Sequence, residues 1–379
     1  MDILQYLSCR KSEVLPEMAM ISPICLHPPG LPLFLWGAGE MAELVYSWLI
    51  KNQIAVAGVF VDVPRDAVHG NEKFHGLDVC GLEDVVHKYS EFNVIAGHAR
   101  GYEMKDDLKR RHKNIKNVYS FYMGVLLGLE PMPYDFIVEN KNAFEWTYDQ
   151  FSDELSRSSY LAYLNAKINS SGWELAPYVR DNEYFCEEII KLSPNEVFVD
   201  CGAYDGDSIT SFLRHLSSRS IQGYSAIYAL EPDKTNYEKL RSKVGQMTNL
   251  HCLNKGVWNE VTTLHFDSMS SMASHVQEAG ETVIEADTID NLLSGNRASL
   301  IKMDIEGAEL EALKGARRTI SQYKPKLAIC AYHRASDLIR LPQYIKSLVP
   351  EYKLFFRIHK CGTVDSVLYA VCDDGSFGP

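Results

Sequence analysis

The stretch VFVDCGAYDGDS, residues 197–208, constrains the fold most, because it joins a buried strand, a glycine turn and the start of a helix. Further apolar strands alternate with helices from Asn195 towards the C-terminus. This alternation is typical of a largely parallel sheet with helices on both faces. The last two strands, YKLFFRIH and DSVLYAVC, have no predicted helix between them, so we expect an antiparallel pair at one edge of the sheet. The predicted helices are Asp207–Leu216, Lys234–Val244, Ala308–Gln322 and Ala335–Leu348.

A second, smaller α/β unit precedes this one. Its segment LFLWGAGEMAELVYSWL has the pattern of a strand, a tight turn and a helix. The turn, Gly37–Ala42, fits the G-x-G-x-x-A pattern of dinucleotide-binding folds, and Asp62 ends the next strand about 20 residues further on. Gly37, Gly39 and Asp62 are therefore candidate nucleotide-binding residues. A domain that serves only packing or oligomerisation would also fit this pattern.

These patterns divide the chain into four parts. We expect an N-terminal extension over residues 1–30, a small Rossmann-like α/β domain over 31–130, a helical connector over 131–192 and the main α/β domain over 193–379. Within the connector, FSDELSRSSYLAYLNAKINSSG and NEYFCEEIIKLS are predicted helices. The connector could also cover a pocket.

The charge balance narrows the classes of partner. The 379-residue chain has 38 Lys and Arg against 50 Asp and Glu, a formal net charge of −12. An acidic surface disfavours non-specific binding to nucleic acid or to an anionic membrane. No run approaches the ~18 apolar residues of a transmembrane helix, and we find no signal-peptide pattern. The nine cysteines are scattered without a C-x-x-C pair, which favours reduced thiols and a cytoplasmic protein.

Acidic residues in the glycine turn indicate the kind of ligand. Asp200, Asp205 and Asp207 would repel a pyrophosphate group. Glu231 ends the next strand, where an acid can accept hydrogen bonds from both hydroxyls of a ribose. Together these residues suit S-adenosylmethionine, which has an adenosine, a sulfonium cation and no phosphate. The turn taken alone would also fit an ordinary strand-to-helix connection.

The block LIKMDIEGAELEALKGA, residues 300–316, resembles a motif of FkbM-type S-adenosylmethionine-dependent methyltransferases. VFVDCGAYDGDS, ALEPDKTNYEKL and ADTIDNLL extend the resemblance in matching order over about Asn195–Val371. It implies a class I methyltransferase fold, a doubly wound seven-stranded sheet with its last strand antiparallel. It also implies methyl transfer to a hydroxyl of a sugar, a sugar-nucleotide or a related metabolite.

The resemblance also implies roles for single residues. Asp304, after the fourth strand, would face the transferred methyl group, and Asp304 and His333 are the candidate general bases. Lys302 could hold Asp304 ionised, and it would share one side of the strand with Asp304 and Glu306 if the strand extends that far. The acids around Gly307 could instead favour a helix start, and Asp304 and His333 could be structural. The cofactor-binding residues implied by the family pattern are Asp200, Gly202, Ala203, Gly206, Glu231 and Asn254.

We expect no metal ion, although an Asp, Glu and His set can hold a divalent cation, as in some O-methyltransferases. The chain has no H-x-x-H, and its only D-x-D, Asp205–Asp207, lies in the cofactor turn. FDSMSSMASH, Phe266–His275, is predicted to be either a flap over the acceptor site or a surface loop.

The small N-terminal domain, from Leu33 to about Ala99, resembles that of bacterial sugar-nucleotide acetyltransferases, which implies a nucleotide or nucleotide-sugar ligand. The expected partner is a small-molecule or carbohydrate acceptor, and a homo-oligomer stays open. Two other functions also stay open. One is an inactive methyltransferase-fold protein that binds nucleotides or acts as a scaffold. The other is an NAD-dependent oxidoreductase that uses Gly37–Ala42.

Overall fold

The computed structural model describes residues 1–7, 30–62, 73–98, 101–120, 132–169, 173–266, 282–359 and 365–372. Most of them belong to two α/β units, each built on a mainly parallel sheet. Among the described residues, the helices are too short or too polar for any of them to cross a membrane.

The N-terminal unit has its strands in the order β3-β4-β2-β1-β5-β6, all parallel to their neighbours except the antiparallel pair β3 and β4. These strands are β1 (Leu33–Trp36), β2 (Gly58–Val61), β3 (Lys73–Phe74), β4 (Leu77–Gly81), β5 (Phe92–Ala96) and β6 (Ile115–Ser120). The helices are α1 (Glu40–Lys51), α2 (Leu82–Lys88) and α3 (Gly101–Arg111). Leu33 and Leu35 pack on one face of the sheet and Phe34 and Trp36 on the other, so both faces are buried.

Three helices connect the two units: α4 (Tyr134–Glu139), α5 (Lys141–Gln150) and α6 (Glu154–Asn169). Only α6 corresponds to a predicted helix. A short 3-10 helix, Trp173–Tyr178, follows them. Phe144, Phe151 and Tyr160 are buried in the same hydrophobic cluster as Phe356 of the C-terminal sheet. The connecting helices therefore contribute directly to the core of the C-terminal unit. The N-terminal residue Ile3 joins the same cluster.

The C-terminal unit contains ten strands and six helices within the described residues. The strands are β7 (Val197–Cys201), β8 (Ala226–Leu230), β9 (Leu250–Leu253), β10 (Gly256–Val257), β11 (Thr262–Phe266), β12 (Thr282–Asp287), β13 (Leu300–Met303), β14 (Lys326–Cys330), β15 (Lys353–Ile358) and β16 (Ser366–Val371). The helices are α7 (Asp207–Ser218), α8 (Lys234–Val244), α9 (Ile289–Leu292), α10 (Glu309–Gly315), α11 (Arg317–Tyr323) and α12 (Asp337–Leu348).

Seven of these strands form the main sheet, in the order β15-β16-β14-β13-β7-β8-β9. The last strand, β16, runs antiparallel to both of its neighbours, and the other pairs are parallel. This topology confirms the predicted class I methyltransferase fold and the predicted antiparallel pair. The carboxyl ends of β7, β8, β13 and β14 lie along one edge, where ligands bind in such sheets.

A separate small sheet, in the order β10-β12-β11, lies outside the main one. Strands β11 and β12 pair antiparallel. The predicted flap over 266–275 lies outside the described residues, apart from Phe266 at the end of β11.

Two helix predictions are wrong. The segment 182–193 forms turns, because Asn182 and Tyr184 adopt left-handed φ angles of 62° and 64°. Phe185 is fully buried beneath the sheet, and the Arg219 side chain donates to its carbonyl at 3.0 Å, which fixes the irregular path. The predicted single helix over 308–322 is instead divided at Ala316 into α10 and α11.

Candidate active site

Contacts within the protein shape the glycine turn after β7. Gly202 has a φ of 78°, and a Cβ atom there would lie 1.9 Å from the carbonyl oxygen of Asp304. Gly206 has a φ of 88° and packs against Leu240 and Val244 of α8. Only glycine adopts such positions without strain. The turn therefore holds the end of β7 directly against the end of β13.

The amide groups of this turn already donate within the protein. The N–H groups of Gly202 and Ala203 donate to the Leu230 carbonyl at 3.0 and 2.9 Å, and that of Tyr204 donates to the Glu231 carboxylate at 2.8 Å. Ala203 itself is fully buried. Three further amides of the turn donate within it, namely those of Gly206, Asp207 and Ser208. Phosphate groups bind such turns through free N–H groups, and this turn has little of that capacity left.

Glu231 follows β8 and is 6% exposed. Its two carboxylate oxygens accept the N–H groups of Tyr204, at 2.8 Å, and Asp233, at 3.0 Å. Burial raises the pKa of Glu231 to about 7, against the opposing effect of these two N–H groups. The side chain of Asn254 donates to the carbonyls of Glu231 and Pro232, so it fixes the backbone of this loop. Each carboxylate oxygen of Glu231 keeps a lone pair for one more donor.

Asp200 and Lys302 form a buried ion pair behind the turn. Their Oδ1 and Nζ atoms are 3.1 Å apart, and their side chains are 0% and 4% exposed. The Ser208 hydroxyl donates to Asp200, and Lys302 donates to the Gly202 carbonyl at 2.6 Å. Burial alone would lower the pKa of Lys302, but Asp200 and Asp304 outweigh it and raise that pKa. The pair holds the turn in place, and the cofactor contact of Asp200 and the catalytic role of Lys302 stay predictions.

Asp304 lies one residue beyond β13, with its side chain 25% exposed. The hydroxyls of Tyr184 and Tyr332 donate to its two carboxylate oxygens at 2.9 and 2.8 Å. Burial alone would raise the pKa of Asp304, but Lys302, His333 and the two tyrosines outweigh it and lower that pKa. Asp304 is thus an ionised carboxylate with a fixed orientation.

His333 follows β14 and lies among three carboxylates. Its Nε2 atom is 3.5 Å from Asp304 Oδ1 and 3.5 Å from Glu306 Oε2, and its Nδ1 atom is 3.0 Å from Glu309 Oε1. Burial alone would lower the pKa of His333, but the carboxylates, led by Glu309, raise it to about 10. A protonated histidine must lose its proton before it can act as a general base, and that role of His333 stays a prediction.

Part of the site follows from no local sequence pattern. Tyr184 precedes Asp304 by 120 positions and comes from the connector. Because β13 ends at Met303 and Glu306 has a left-handed φ of 56°, the predicted alternation through Glu306 fails. Tyr332 directly precedes His333 after a buried strand, and this position could have indicated that Tyr332 belongs to the site. The residues that contact Asp304 or His333 without a predicted role are Tyr184, Glu306, Glu309 and Tyr332.

In the N-terminal unit, the predicted nucleotide-binding turn follows β1. Gly37 has a φ of 114°, and a Cβ atom there would lie 3.2 Å from the carbonyl oxygen of Gly97. At Gly39, which precedes α1, the same position is open, with no atom within 4 Å. Asp62 is ion-paired with Arg111 at 3.6 Å. Nucleotide binding at Gly37, Gly39 and Asp62 stays a prediction.

Comparison with known proteins agrees with this geometry. Residues 200–359 match the model of the methyltransferase FkbM domain. The crystal structure of the methyltransferase FkbM from Methylobacillus flagellatus KT is similar with a TM-score of 0.66 and 23% identity, over 94% of both chains. At this identity, the likeness establishes the fold.

Weaker matches add nothing further. A fibrillarin/Nop5p complex is 18% identical over 48% of this chain and 75% of its own, with a TM-score of 0.31. The CurJ carbon methyltransferase is 11% identical over 62% and 69%, with a TM-score of 0.28. Such low TM-scores support no inference, and no curated protein matches the chain. The family match and the strand order together confirm the predicted resemblance to FkbM-type methyltransferases, which residues 200–359 carry.

Proposed function

We propose that the chain transfers the methyl group of S-adenosylmethionine to a hydroxyl of a small molecule, namely a sugar, a sugar-nucleotide or a related metabolite. The observation that carries this proposal is the internal use of the turn amides from Gly202 to Ser208. A nucleotide with a pyrophosphate would require those N–H groups. A nucleoside without phosphates does not, and S-adenosylmethionine is such a compound.

Glu231 and the turn supply the complementary groups for this cofactor. The remaining lone pairs of the Glu231 carboxylate can accept hydrogen bonds from the two ribose hydroxyls. Asp207 is exposed beside them, and Asp205 is half-buried and paired with Lys243 at 3.0 Å. Negative charge at this edge favours a sulfonium cation and disfavours a phosphate.

Asp304 is placed to orient the methyl acceptor. Its carboxylate is held by two tyrosine hydroxyls and stands next to the glycine turn, so it can accept a hydrogen bond from an acceptor hydroxyl. In the transfer, the acceptor oxygen forms a bond to the methyl carbon while the carbon–sulfur bond breaks. S-adenosylhomocysteine leaves, and the hydroxyl proton passes to solvent. Holding donor and acceptor in line supplies much of the acceleration.

We also propose that the chain acts in the cytoplasm. The described cysteines that are free thiols include Cys186, Cys201 and Cys330, which are buried in the core of the C-terminal unit. Unpaired buried thiols are typical of proteins from reducing compartments.

A transfer assay tests the proposed reaction. The enzyme is incubated with S-adenosylmethionine carrying an isotopically labelled methyl group and a panel of sugars and nucleotide-sugars. We expect one product heavier by one methyl group, with an O-methyl signal by NMR. The Glu231→Ala variant should lose the signal, and the exposed-site control Glu260→Gln should keep it. Label on nitrogen or carbon, or no product from a cofactor-bound enzyme, would contradict hydroxyl methylation.

A further inference from the structure

We propose that Asp304, Glu306 and His333 bind a divalent cation at the carboxyl ends of β13 and β14, with Glu309 holding the imidazole ring from the opposite side. The three residues do not form a short metal-binding motif in the sequence. Only the fold brings them together.

The spacing around His333 fits a shared cation. Its Nε2 atom is 3.5 Å from an oxygen of Asp304 and 3.5 Å from an oxygen of Glu306. These separations are too long for good hydrogen bonds. Metal bonds of about 2.0–2.2 Å place neighbouring ligand atoms about 3–3.5 Å apart. The Nε2 atom of His333 therefore lies, from each of these two carboxylates, at nearly the separation of neighbouring ligand atoms on a bound cation.

Unpartnered buried atoms provide an independent indication of a ligand. His333 is 4% exposed, and its Nε2 atom has no hydrogen-bond partner within the part of the chain that the structure describes. Glu309 is fully buried and its Oε2 atom is also unpartnered there. Leaving such groups unsatisfied is unfavourable. Ligand atoms of Asp304 and His333 lie within 4.8 Å of one another, in a cluster that also contains the orienting carboxylate of Glu309.

Glu309 has the position of an orienting carboxylate. Its Oε1 atom is 3.0 Å from His333 Nδ1 and accepts the Ile305 N–H group at 3.0 Å, so the carboxylate is itself anchored. A histidine that binds a metal through one ring nitrogen usually donates its other N–H group to a carboxylate or a carbonyl. This arrangement leaves Nε2 directed at Asp304 and Glu306.

The local charge also favours a cation. Asp337 is buried as well and interacts electrostatically with Glu309 and His333. With Asp304 and Glu306, four carboxylates thus surround one imidazole. Lys302, which is paired with Asp200, also stabilises the Asp304 carboxylate, and Arg334 acts on Asp337, so these two cations offset part of the negative charge. A divalent cation would offset this excess of negative charge.

The donor set selects the class of metal. One imidazole nitrogen with carboxylate oxygens suits Mn²⁺ or Zn²⁺, whereas Mg²⁺ and Ca²⁺ prefer oxygen ligands throughout. The role of the ion rests on the proposed function: a cation beside the methyl acceptor lowers the pKa of the acceptor hydroxyl, so that its proton leaves to solvent before the oxygen attacks the methyl carbon.

Titration calorimetry with MnCl₂ and with ZnCl₂, on chelator-treated full-length protein without cofactor, tests the site. We expect one ion per chain, with affinity reduced at least tenfold in Glu306→Gln and in His333→Gln and unchanged in Glu260→Gln. Glu306 has a 37% exposed side chain, so its variant is expected to fold, and circular dichroism checks both variants. Failure of both cations to bind, or equal affinity in all variants, would overturn the proposal.

A second measurement separates this inference from the proposed function. Methyl transfer is compared with and without a chelator, alongside the calorimetry. Cation binding without methyl transfer to any acceptor would support the cation site and refute the proposed reaction. If the protein binds neither cation and methyl transfer persists in the presence of a chelator, the cation site is refuted and the proposed reaction is supported.

Discussion

Removing the positive charge of Lys302 should strongly destabilise the C-terminal unit. In Lys302→Met, Asp200 stays fully buried and keeps the Ser208 hydroxyl, but it loses its counterion. Removing one partner of a buried ion pair costs about 3–5 kcal/mol. The lost hydrogen bond to the Gly202 carbonyl adds about 1 kcal/mol. We therefore expect the free energy of unfolding to fall by about 4–6 kcal/mol.

The double variant Asp200→Asn, Lys302→Met is the matched comparison. It removes both charges and keeps an acceptor for the Ser208 hydroxyl. Replacing a buried pair by neutral groups of similar volume is often neutral or stabilising, so the lost bond to Gly202 should dominate at about 1–2 kcal/mol. The double variant should then be more stable than Lys302→Met, and the two sites should couple by at least about 2 kcal/mol.

Urea unfolding followed by circular dichroism measures these free energies. Lys234→Met, at an exposed lysine of the same unit, is the control and should change stability by less than about 0.5 kcal/mol. A loss below about 1 kcal/mol in Lys302→Met, or single-variant effects that simply add in the double variant, would refute the buried ion pair. Normal cofactor binding by the folded double variant would agree with a structural role for Lys302.

Three further predictions concern the turn, the cofactor and the N-terminal unit. Gly202→Ala should lower the free energy of unfolding in urea by more than about 3 kcal/mol, because a left-handed φ and a clash with the Asp304 carbonyl combine. The control Gly223→Ala has a φ of 82° and open space around it, so it should cost only about 1–2 kcal/mol. Equal losses in the two variants would contradict the contact with Asp304. Calorimetry should show that the affinity for S-adenosylmethionine falls up to about tenfold per pH unit below pH 7, because the ionised Glu231 carboxylate binds the ribose and protonation removes its charge. The Glu231→Gln variant should flatten this pH profile. An unchanged profile in the variant would exclude Glu231 as the group that binds the ribose. Gly39→Asp should abolish any rise in melting temperature produced by NAD or nucleotide-sugars, since the new carboxylate repels phosphate at the start of α1. A rise that persists in the variant would place the nucleotide elsewhere.

Elements with strong local signals could be predicted from the sequence. Helix α8 has the predicted bounds, Lys234–Val244, and Asp233 caps it with a side-chain hydrogen bond to the Asn236 amide. The antiparallel strands β15 and β16 followed from the absence of a helix between them. In each case the residues that decide the structure are close in sequence.

The failures have tertiary causes. The segment 182–193 has helical spacing of its apolar residues, but burial of Phe185 beneath the sheet and two left-handed residues override that preference. The surroundings of the site residues are tertiary as well. Lys302, the partner of Asp200, lies 102 positions away from it. The carboxylates that raise the pKa of His333, led by Glu309, come together only in the fold.

Calorimetric titration with S-adenosylmethionine tests the central claim most directly. The account predicts one cofactor bound per chain, with binding weakened about 10–100-fold in Glu231→Ala, because about 1.5–3 kcal/mol of charged hydrogen bonds is lost, and unchanged in Glu260→Gln. No binding by the wild-type protein, or equal affinity in Glu231→Ala, would contradict it.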